Sequence, residues 1–134
     1  MDNPGNVELK TLIVEDNATY RGLLRDSLQS LFPSMMIHEA AEGNEALQRV
    51  DTLRPELIFM DIRLPGENGL QLTHRIKTHY PDTKVIILTS YDVPEYREAA
   101  TQCGACCFLA KDSLNMEQVE SLVKSVFSEM NKLS

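Results

Sequence analysis

The stretch LIFMDIRLPGENG, residues 57–69, carries the pattern that decides the fold. Its first four residues form a continuous apolar run, which is typical of a parallel strand buried on both faces of a sheet. Asp61 follows this run directly, and the segment LPGENG after it is rich in turn-forming residues. The stretch therefore predicts a strand and a turn that lead into a helix over residues 70–79, with an acid at the carboxyl end of the strand.

The same alternation of a short apolar run and an amphipathic stretch occurs five times along the chain. Strands are predicted at residues 9–14, 35–39, 57–60, 84–88 and 106–109, and helices at 18–32, 43–53, 70–79, 95–102 and 116–130. Asn17 is placed to cap the first helix, and Pro94 can occupy the first turn of the fourth. Because consecutive parallel strands need right-handed crossovers, this order predicts a doubly wound α/β fold of three layers.

Length and composition are typical of one compact domain. The 134 residues, of which 43% are hydrophobic, predict a single domain with a core over about residues 8–131, after a polar lead-in at 1–7. We expect a cytoplasmic location, since no apolar run is long enough to cross a membrane and no secretory signal is visible. The net charge of -7 disfavours direct binding of nucleic acid, which needs a basic face.

Three cysteines lie close together in the sequence, at positions 103, 106 and 107. Cys103 and Cys106 have the C-x-x-C spacing, but a structural zinc site normally needs four ligands and no second pair is present. A redox pair would normally open a helix after a strand, whereas this pair precedes an apolar stretch. We therefore predict small, buried thiols.

Polar residues follow four of the five predicted strands. In open parallel sheets ligands bind outside the carboxyl ends of the strands, so these side chains are expected at one site. Clustered carboxylates repel unless a cation compensates them, and oxygen ligands suit Mg²⁺. A carboxylate can also act as a nucleophile and form an aspartyl phosphate, while a lysine and a hydroxyl bind the phosphoryl oxygens. The residues of this predicted site are Glu15, Asp16, Asp61, Thr89 and Lys111.

The runs LIVEDN, DIRLPGENGL, VIILTS and FLAKD resemble the response regulator receiver family, also called CheY-like, over nearly the whole chain. The resemblance implies a flavodoxin-like sheet and a role in two-component signalling. It implies that a sensor histidine kinase or a phosphotransfer protein phosphorylates Asp61, and that Lys111 contacts the phosphoryl group. It further implies a switch made of Thr89 and Phe108, and a Mg²⁺ site made of Glu15, Asp16, Asp61 and the backbone carbonyl of Arg63.

The resemblance also implies how the signal leaves the domain. The face formed by the fourth helix, the fifth strand and the fifth helix would control an output domain or a partner protein, with transcription as one candidate output. It also allows for a homodimer. Asp112 follows the lysine where proline is commoner, which resembles receivers that precede a helix-turn-helix domain. Since the chain stops after its fifth helix, either a single-domain regulator or an excised receiver is expected.

The resemblance further implies that two more positions tune the phosphoryl lifetime. Arg63 and Tyr91 lie two residues beyond Asp61 and Thr89, where they would flank the phosphoryl group. Two interpretations stay open beside those above. Glu15 could cap a helix and leave metal binding to Asp16, and Phe108 could serve only as a core residue.

The chain is expected not to be an enzyme, beyond assisting its own phosphorylation and dephosphorylation. An aspartate-nucleophile phosphatase would carry a second acid at the position of Arg63, and a nucleotide-binding module would carry a glycine-rich loop after its first strand. The remaining alternative is a pseudo-receiver, a scaffold that binds proteins without accepting phosphate.

Overall fold

The computed structural model describes residues 8–133, in which five strands and five helices alternate. The strands are β1 (Lys10–Val14), β2 (Met36–Ala40), β3 (Leu57–Met60), β4 (Lys84–Thr89) and β5 (Cys107–Ala110). The helices are α1 (Ala18–Leu31), α2 (Gly43–Leu53), α3 (Gly69–His79), α4 (Pro94–Gln102) and α5 (Met116–Leu133). Every predicted element is present, with ends shifted by at most a few residues, and a short 3-10 helix (Lys111–Ser113) was not predicted. The predicted lead-in at residues 1–7 lies outside the described residues.

The five strands form one parallel sheet in the order β2-β1-β3-β4-β5. In its register Val14 pairs with Met60, Met60 with Ile87, and Thr89 with Ala110. The chain winds from β1 outward to β2 and then returns to place β3 on the other side of β1. The strand order therefore reverses between β1 and β3, and ligands of such sheets bind at that point. The predicted doubly wound fold, with β3 at its centre, is confirmed.

Two apolar clusters cover the two faces of the sheet and make the predicted three layers. Phe59 of β3 belongs to the first cluster, together with Leu28 of α1 and Val123 of α5. The neighbouring Met60 points to the opposite face and joins the second cluster, together with Ile76 of α3. Both strand residues are almost fully buried, as the continuous apolar run predicted.

The ends of the helices near the sheet edge are fixed by local hydrogen bonds. The side-chain oxygen of Asn17 accepts a hydrogen bond from the backbone N–H of Tyr20 at 3.0 Å, so the predicted cap of α1 is confirmed. Asn68 caps α3 in the same way through the N–H of Leu70, at 2.6 Å. Pro94 is the first residue of α4, where its missing N–H costs no helical hydrogen bond.

The prediction of three buried thiols is wrong for Cys106, which is exposed, and only partly right for Cys103 and Cys107, which are half-buried. The reason is their position, because β5 is an edge strand and Cys106 lies in the turn just before it. All three thiols are free. Within residues 8–133, the one group of three potential metal ligands contains no cysteine.

The longest helix, α5, is amphipathic. Val119, Val123 and Val126 are buried against the first cluster, while Glu117 and Lys124 are exposed. Across the part of the chain that the structure describes, no helix has both the length and the apolar character that a membrane span requires.

Candidate functional site

Three carboxylates meet at the point where the strand order reverses. Glu15 and Asp16 follow β1, and Asp61 follows β3. One carboxylate oxygen from each of the three residues lies within 4.8 Å of the others. The structure thus brings together the acids that the sequence predicted at this edge.

The Asp61 carboxylate is buried, with 7% of the residue exposed, and both of its oxygens are held. Its Oδ1 accepts a hydrogen bond from the backbone N–H of Ile62 at 2.8 Å. Its Oδ2 accepts one from the Lys111 ammonium at 3.2 Å. The backbone N–H of Asp61 donates to the carbonyl of Val14 at 3.0 Å, which continues the β1–β3 pairing up to the acid. The carboxylate is therefore oriented by its own loop on one side and by a cation on the other.

Helix α3 starts in direct contact with this loop, and only glycine fits there. The N–H of Gly69 donates to the carbonyl of Ile62 at 2.7 Å. A Cβ on Gly69 would lie 1.8 Å from the carbonyl oxygen of Asp61, which is far inside van der Waals contact. The turn before it passes through Gly66, whose φ of 86° favours glycine. No local sequence pattern identifies Gly69, because its close approach to Asp61 depends on how the loop folds back.

The Lys111 ammonium joins two of the acids. It donates to Glu15 Oε1 and to Asp61 Oδ2, and its side chain is mostly buried. Burial disfavours the charged lysine, but the hydrogen bond to Glu15 and the charges of Asp61 and Glu15 outweigh this effect and raise the pKa of Lys111. Burial also disfavours the charged form of Glu15, and for a carboxyl group this raises the pKa. Hydrogen bonds from Lys111 and from the N–H of Asn17 act in the opposite direction on the pKa of Glu15 but do not outweigh burial.

Both interpretations of Glu15 have a counterpart in the structure. Its Oε2 accepts a hydrogen bond from the backbone N–H of Asn17 at 3.0 Å, just before α1 begins. Its other oxygen faces Lys111, within the group of three acids. Glu15 therefore supports the start of the helix and contributes a carboxylate to the site at the same time.

The donor set fits a hard divalent cation. Carboxylate oxygens from three residues are grouped closely, and Asp16 is exposed, so that the site is open to water on one side. Mg²⁺ typically binds through a few carboxylates and keeps several of its waters. The acids thus cluster as in Mg²⁺-binding receiver sites. The participation of the Arg63 carbonyl stays a prediction.

Thr89 and Phe108 lie on the two strands beyond Asp61. Thr89 is fully buried, and its hydroxyl oxygen accepts a hydrogen bond from the N–H of Tyr91 at 3.2 Å. It pairs with Ala110, the residue before Lys111. Phe108 is half-buried and packs against the second apolar cluster. Thr89 therefore ends β4 at the sheet edge where the acids lie, while the switching roles of Thr89 and Phe108 stay predictions.

Arg63 and Tyr91 contact each other, which the sequence analysis did not predict. Both residues are exposed, and the guanidinium carbon of Arg63 lies 3.8 Å from the centroid of the Tyr91 ring. A cation and an aromatic face at this distance attract each other. The stack connects the loop after β3 to the loop after β4, at the edge of the sheet where Asp61 lies.

The sequence matches the family model of the response regulator receiver domain over residues 11–124. The oxygen regulatory protein NreC of Staphylococcus carnosus is 35% identical over 120 residues, which are 89% of this chain and 55% of NreC. The uncharacterized transcriptional regulatory protein YhcZ of Bacillus subtilis is 33% identical over 117 residues, which are 87% of this chain and 53% of YhcZ. The chain thus spans about half the length of these curated relatives.

Solved structures show the same fold. The response regulator TrrA from Thermotoga maritima, in complex with Mg²⁺-BeF, superposes with a TM-score of 0.78 at 30% identity and covers 88% of this chain and 98% of its own. A CheY-like receiver domain protein from Methanospirillum hungatei gives a TM-score of 0.87 over 96% of this chain and 100% of its own, at 23% identity. Since the family model covers most of the sequence and the strand order and acids agree with it, the chain belongs to the response regulator receiver domain family of two-component systems.

Proposed function

We propose that Asp61 accepts a phosphoryl group from a phosphohistidine of a sensor histidine kinase or a phosphotransfer protein. The observation that carries this proposal is the position of Lys111, whose ammonium lies 3.2 Å from Asp61 Oδ2 while it also binds Glu15. A buried lysine shared by two acids at a ligand-binding edge is an arrangement suited to a group that gains negative charge.

The reaction is an in-line displacement at phosphorus. A carboxylate oxygen of Asp61 forms the new P–O bond while the P–N bond to the donor histidine breaks, and the imidazole nitrogen takes the electron pair. The hydrogen bond from Ile62 holds Oδ1, and Lys111 offsets the charge that builds up on the phosphoryl oxygens. Glu15, Asp16, Asp61 and the carbonyl of Arg63 would hold Mg²⁺, which would supply further positive charge at the site.

The phosphoryl group adds about 1.5 to 2 negative charges at a site that is otherwise largely buried. In this proposal the Thr89 hydroxyl moves toward the new oxygens, and the Phe108 ring turns inward. The face formed by α4, β5 and α5 then changes shape. The effect is a shift between two conformations, limited by how differently they interact with the phosphoryl group.

The altered face would control an output domain or a partner protein. Two relatives named as regulatory proteins, NreC and YhcZ, are about twice as long as the matched region, and YhcZ is named as a transcriptional regulator. This supports transcription as the output. On this proposal the chain is a phosphoacceptor that assists its own phosphorylation and dephosphorylation, and not an enzyme acting on other substrates.

Incubation with acetyl phosphate, with and without Mg²⁺, tests the proposal through intact mass measurement. We expect the wild-type protein to gain the mass of one phosphoryl group when Mg²⁺ is present, and the Asp61→Asn variant to gain none. Asp82→Asn is the matched control, because Asp82 is an exposed acid just before β4, at the opposite edge of the sheet. Wild-type protein without any mass gain under all conditions would favour the pseudo-receiver, a scaffold that works without phosphate.

A further inference from the structure

Tyr20, in the first turn of α1, contacts the site through Lys111 but is not one of the predicted site residues. The Lys111 ammonium lies 4.6 Å from the centroid of its ring. This distance is well within the range in which a cation and an aromatic face attract each other, and the interaction is stronger for partly desolvated groups. The Lys111 ammonium thus contacts two carboxylates and one aromatic ring among the described residues.

A closed circuit of contacts fixes the ring relative to the acids. The Glu15 carboxylate accepts from the N–H of Asn17, and the Asn17 side chain accepts from the N–H of Tyr20. The Tyr20 ring faces Lys111, which in turn donates to Glu15. The start of α1 therefore sets the position of the metal-binding acid and of the lysine's aromatic partner at once.

The ring differs from the other two neighbours of Lys111 in one respect. Glu15 and Asp61 are the carboxylates that the proposed function assigns to Mg²⁺ and to the phosphoryl group, so their contacts with the lysine change during the reaction. The Tyr20 ring takes part in neither assignment. It is also held in place, because it packs against the first apolar cluster, as do Leu114 and Met116 just after the lysine.

The hydroxyl of Tyr20 is not what makes this contact. Its oxygen is buried and makes no hydrogen bond with any residue between 8 and 133. A buried hydroxyl without a partner is unfavourable, so the phenol oxygen does not hold the Tyr20 side chain in its place. The contact with Lys111 is made by the face of the ring, which phenylalanine would also provide.

We propose that Tyr20 is a positioning residue for Lys111, whose ring holds the ammonium in the acceptor site while the lysine exchanges its carboxylate partners for the phosphoryl group. This inference rests on the proposed function for its consequence, but the contact itself can be measured without phosphorylation. Simple packing predicts that leucine, methionine and phenylalanine serve equally well at this position. The positioning role predicts that, of these three residues, only phenylalanine can replace Tyr20, because only phenylalanine retains the aromatic ring.

Proton NMR of the full chain tests the contact first, without any phosphodonor. Protons over an aromatic face resonate upfield, so the ε-methylene protons of Lys111 should lie upfield of those of the other lysines, with or without Mg²⁺. The shift should persist in Tyr20→Phe and disappear in Tyr20→Leu and Tyr20→Met. Two non-aromatic variants are used so that one that fails to fold does not decide the result. An unchanged Lys111 resonance in a folded non-aromatic variant overturns the inference.

The rate of phosphorylation by acetyl phosphate tests the consequence. We expect Tyr20→Leu and Tyr20→Met to react about fivefold more slowly than the wild type, and Tyr20→Phe at the wild-type rate. Leu23→Ala is the matched control, since Leu23 is exposed on the same helix. Equal rates in all folded variants overturn the inference. Wild-type protein that shows the upfield shift but is not phosphorylated contradicts the proposed function, and the NMR comparison then decides the role of Tyr20 alone.

Discussion

The guanidinium of Arg97 lies over the ring of Phe108, with its carbon 4.7 Å from the ring centroid. Arg97 is on α4 and Phe108 is on β5, so the contact connects two of the three elements of the proposed output face. Arg97 is held in turn by Asp92, whose carboxylate accepts hydrogen bonds from Nε at 2.6 Å and from Nη2 at 3.1 Å. A residue of the loop before α4 therefore fixes the cation that covers the predicted switch aromatic.

Removal of this cation should free the Phe108 ring. We expect Arg97→Ala to shift or broaden the resonance of Phe108 in 19F NMR of protein labelled with fluorophenylalanine, in which each of the 4 phenylalanines gives one signal. The loss of stability should be small, because Arg97 is exposed and its ion pair with Asp92 is screened by solvent. Arg97→Lys retains the charge but not the planar group, and Glu98→Ala is a control on the same helix. A Phe108 signal that stays the same in Arg97→Ala would contradict this role.

The contact between Gly69 and Asp61 predicts a large effect of a single methyl group. Gly69→Ala places a Cβ 1.8 Å from the carbonyl oxygen of Asp61, so the loop or the start of α3 must move. We expect a loss of about 3 kcal/mol in the free energy of urea unfolding, and a weaker Mg²⁺ affinity, because Asp61 moves with its loop.

Gly22→Ala is the matched control for this change. Gly22 lies within α1, where the nearest atom to an added Cβ is the flexible Arg25 Nη2 at 3.7 Å. Alanine is the better helix former, so the variant should gain about 0.5 to 1 kcal/mol. Similar stabilities of the two variants would show that the close approach at Gly69 does not exist.

The fold and the group of acids could be predicted from the sequence because both follow from simple rules. Continuous apolar runs such as residues 57–60 identify buried parallel strands, and parallel strands bring their carboxyl ends to one edge. For this reason Glu15, Asp16 and Asp61 were expected together, and the structure confirms that they are. What each of them does in phosphoryl transfer stays a prediction.

The contacts between side chains from different elements could not be predicted. The Arg63–Tyr91 stack and the approach of Gly69 to Asp61 depend on how loops fold across the sheet edge, which no local pattern encodes. Cys106 was predicted to be buried and is exposed. The prediction applied the average preference of cysteine for burial to a residue that lies in a turn before an edge strand. Tertiary position determined the outcome in each case.

Glu39 predicts a dependence of stability on pH. Its carboxylate accepts hydrogen bonds from Arg21 Nε and Arg25 Nη1, each at 2.9 Å. Burial disfavours its charge, but the two guanidinium groups outweigh burial and lower the pKa of Glu39. A lowered pKa in the folded state stabilises the protein above the unfolded pKa, and this contribution is lost as the pH falls through the folded value.

Glu39→Gln should therefore destabilise the protein by about 1 kcal/mol at neutral pH, and the difference from the wild type should shrink below about pH 4, where unfolded glutamate is protonated. Urea unfolding at a series of pH values measures this difference. Glu98→Gln is the control, since the structure gives Glu98 no ion pair within residues 8–133 and it is exposed on α4. A difference between Glu39→Gln and the wild type that stays constant across the series would exclude the predicted linkage.

The stack of Arg63 on Tyr91 is expected to lengthen the half-life of the phosphorylated protein. The exposed Tyr91 ring belongs to the loop after β4, and the guanidinium carbon of Arg63 lies 3.8 Å from its centroid. If Asp61 is phosphorylated as proposed, this stack should shield the acyl phosphate from water. We expect Tyr91→Ala to shorten the half-life of phosphorylated protein several-fold, as measured by intact mass after removal of the donor.

Phenylalanine retains the ring, so Tyr91→Phe should decay like the wild type. Arg63→Ala should shorten the half-life less than Tyr91→Ala, because it loosens the ring without removing it. Since both residues act through one stack, the double variant should decay no faster than Tyr91→Ala alone. Effects of the two substitutions that simply add would mean that Arg63 and Tyr91 act separately on the phosphoryl group, and an unchanged decay in Tyr91→Ala would mean that the ring does not shield it.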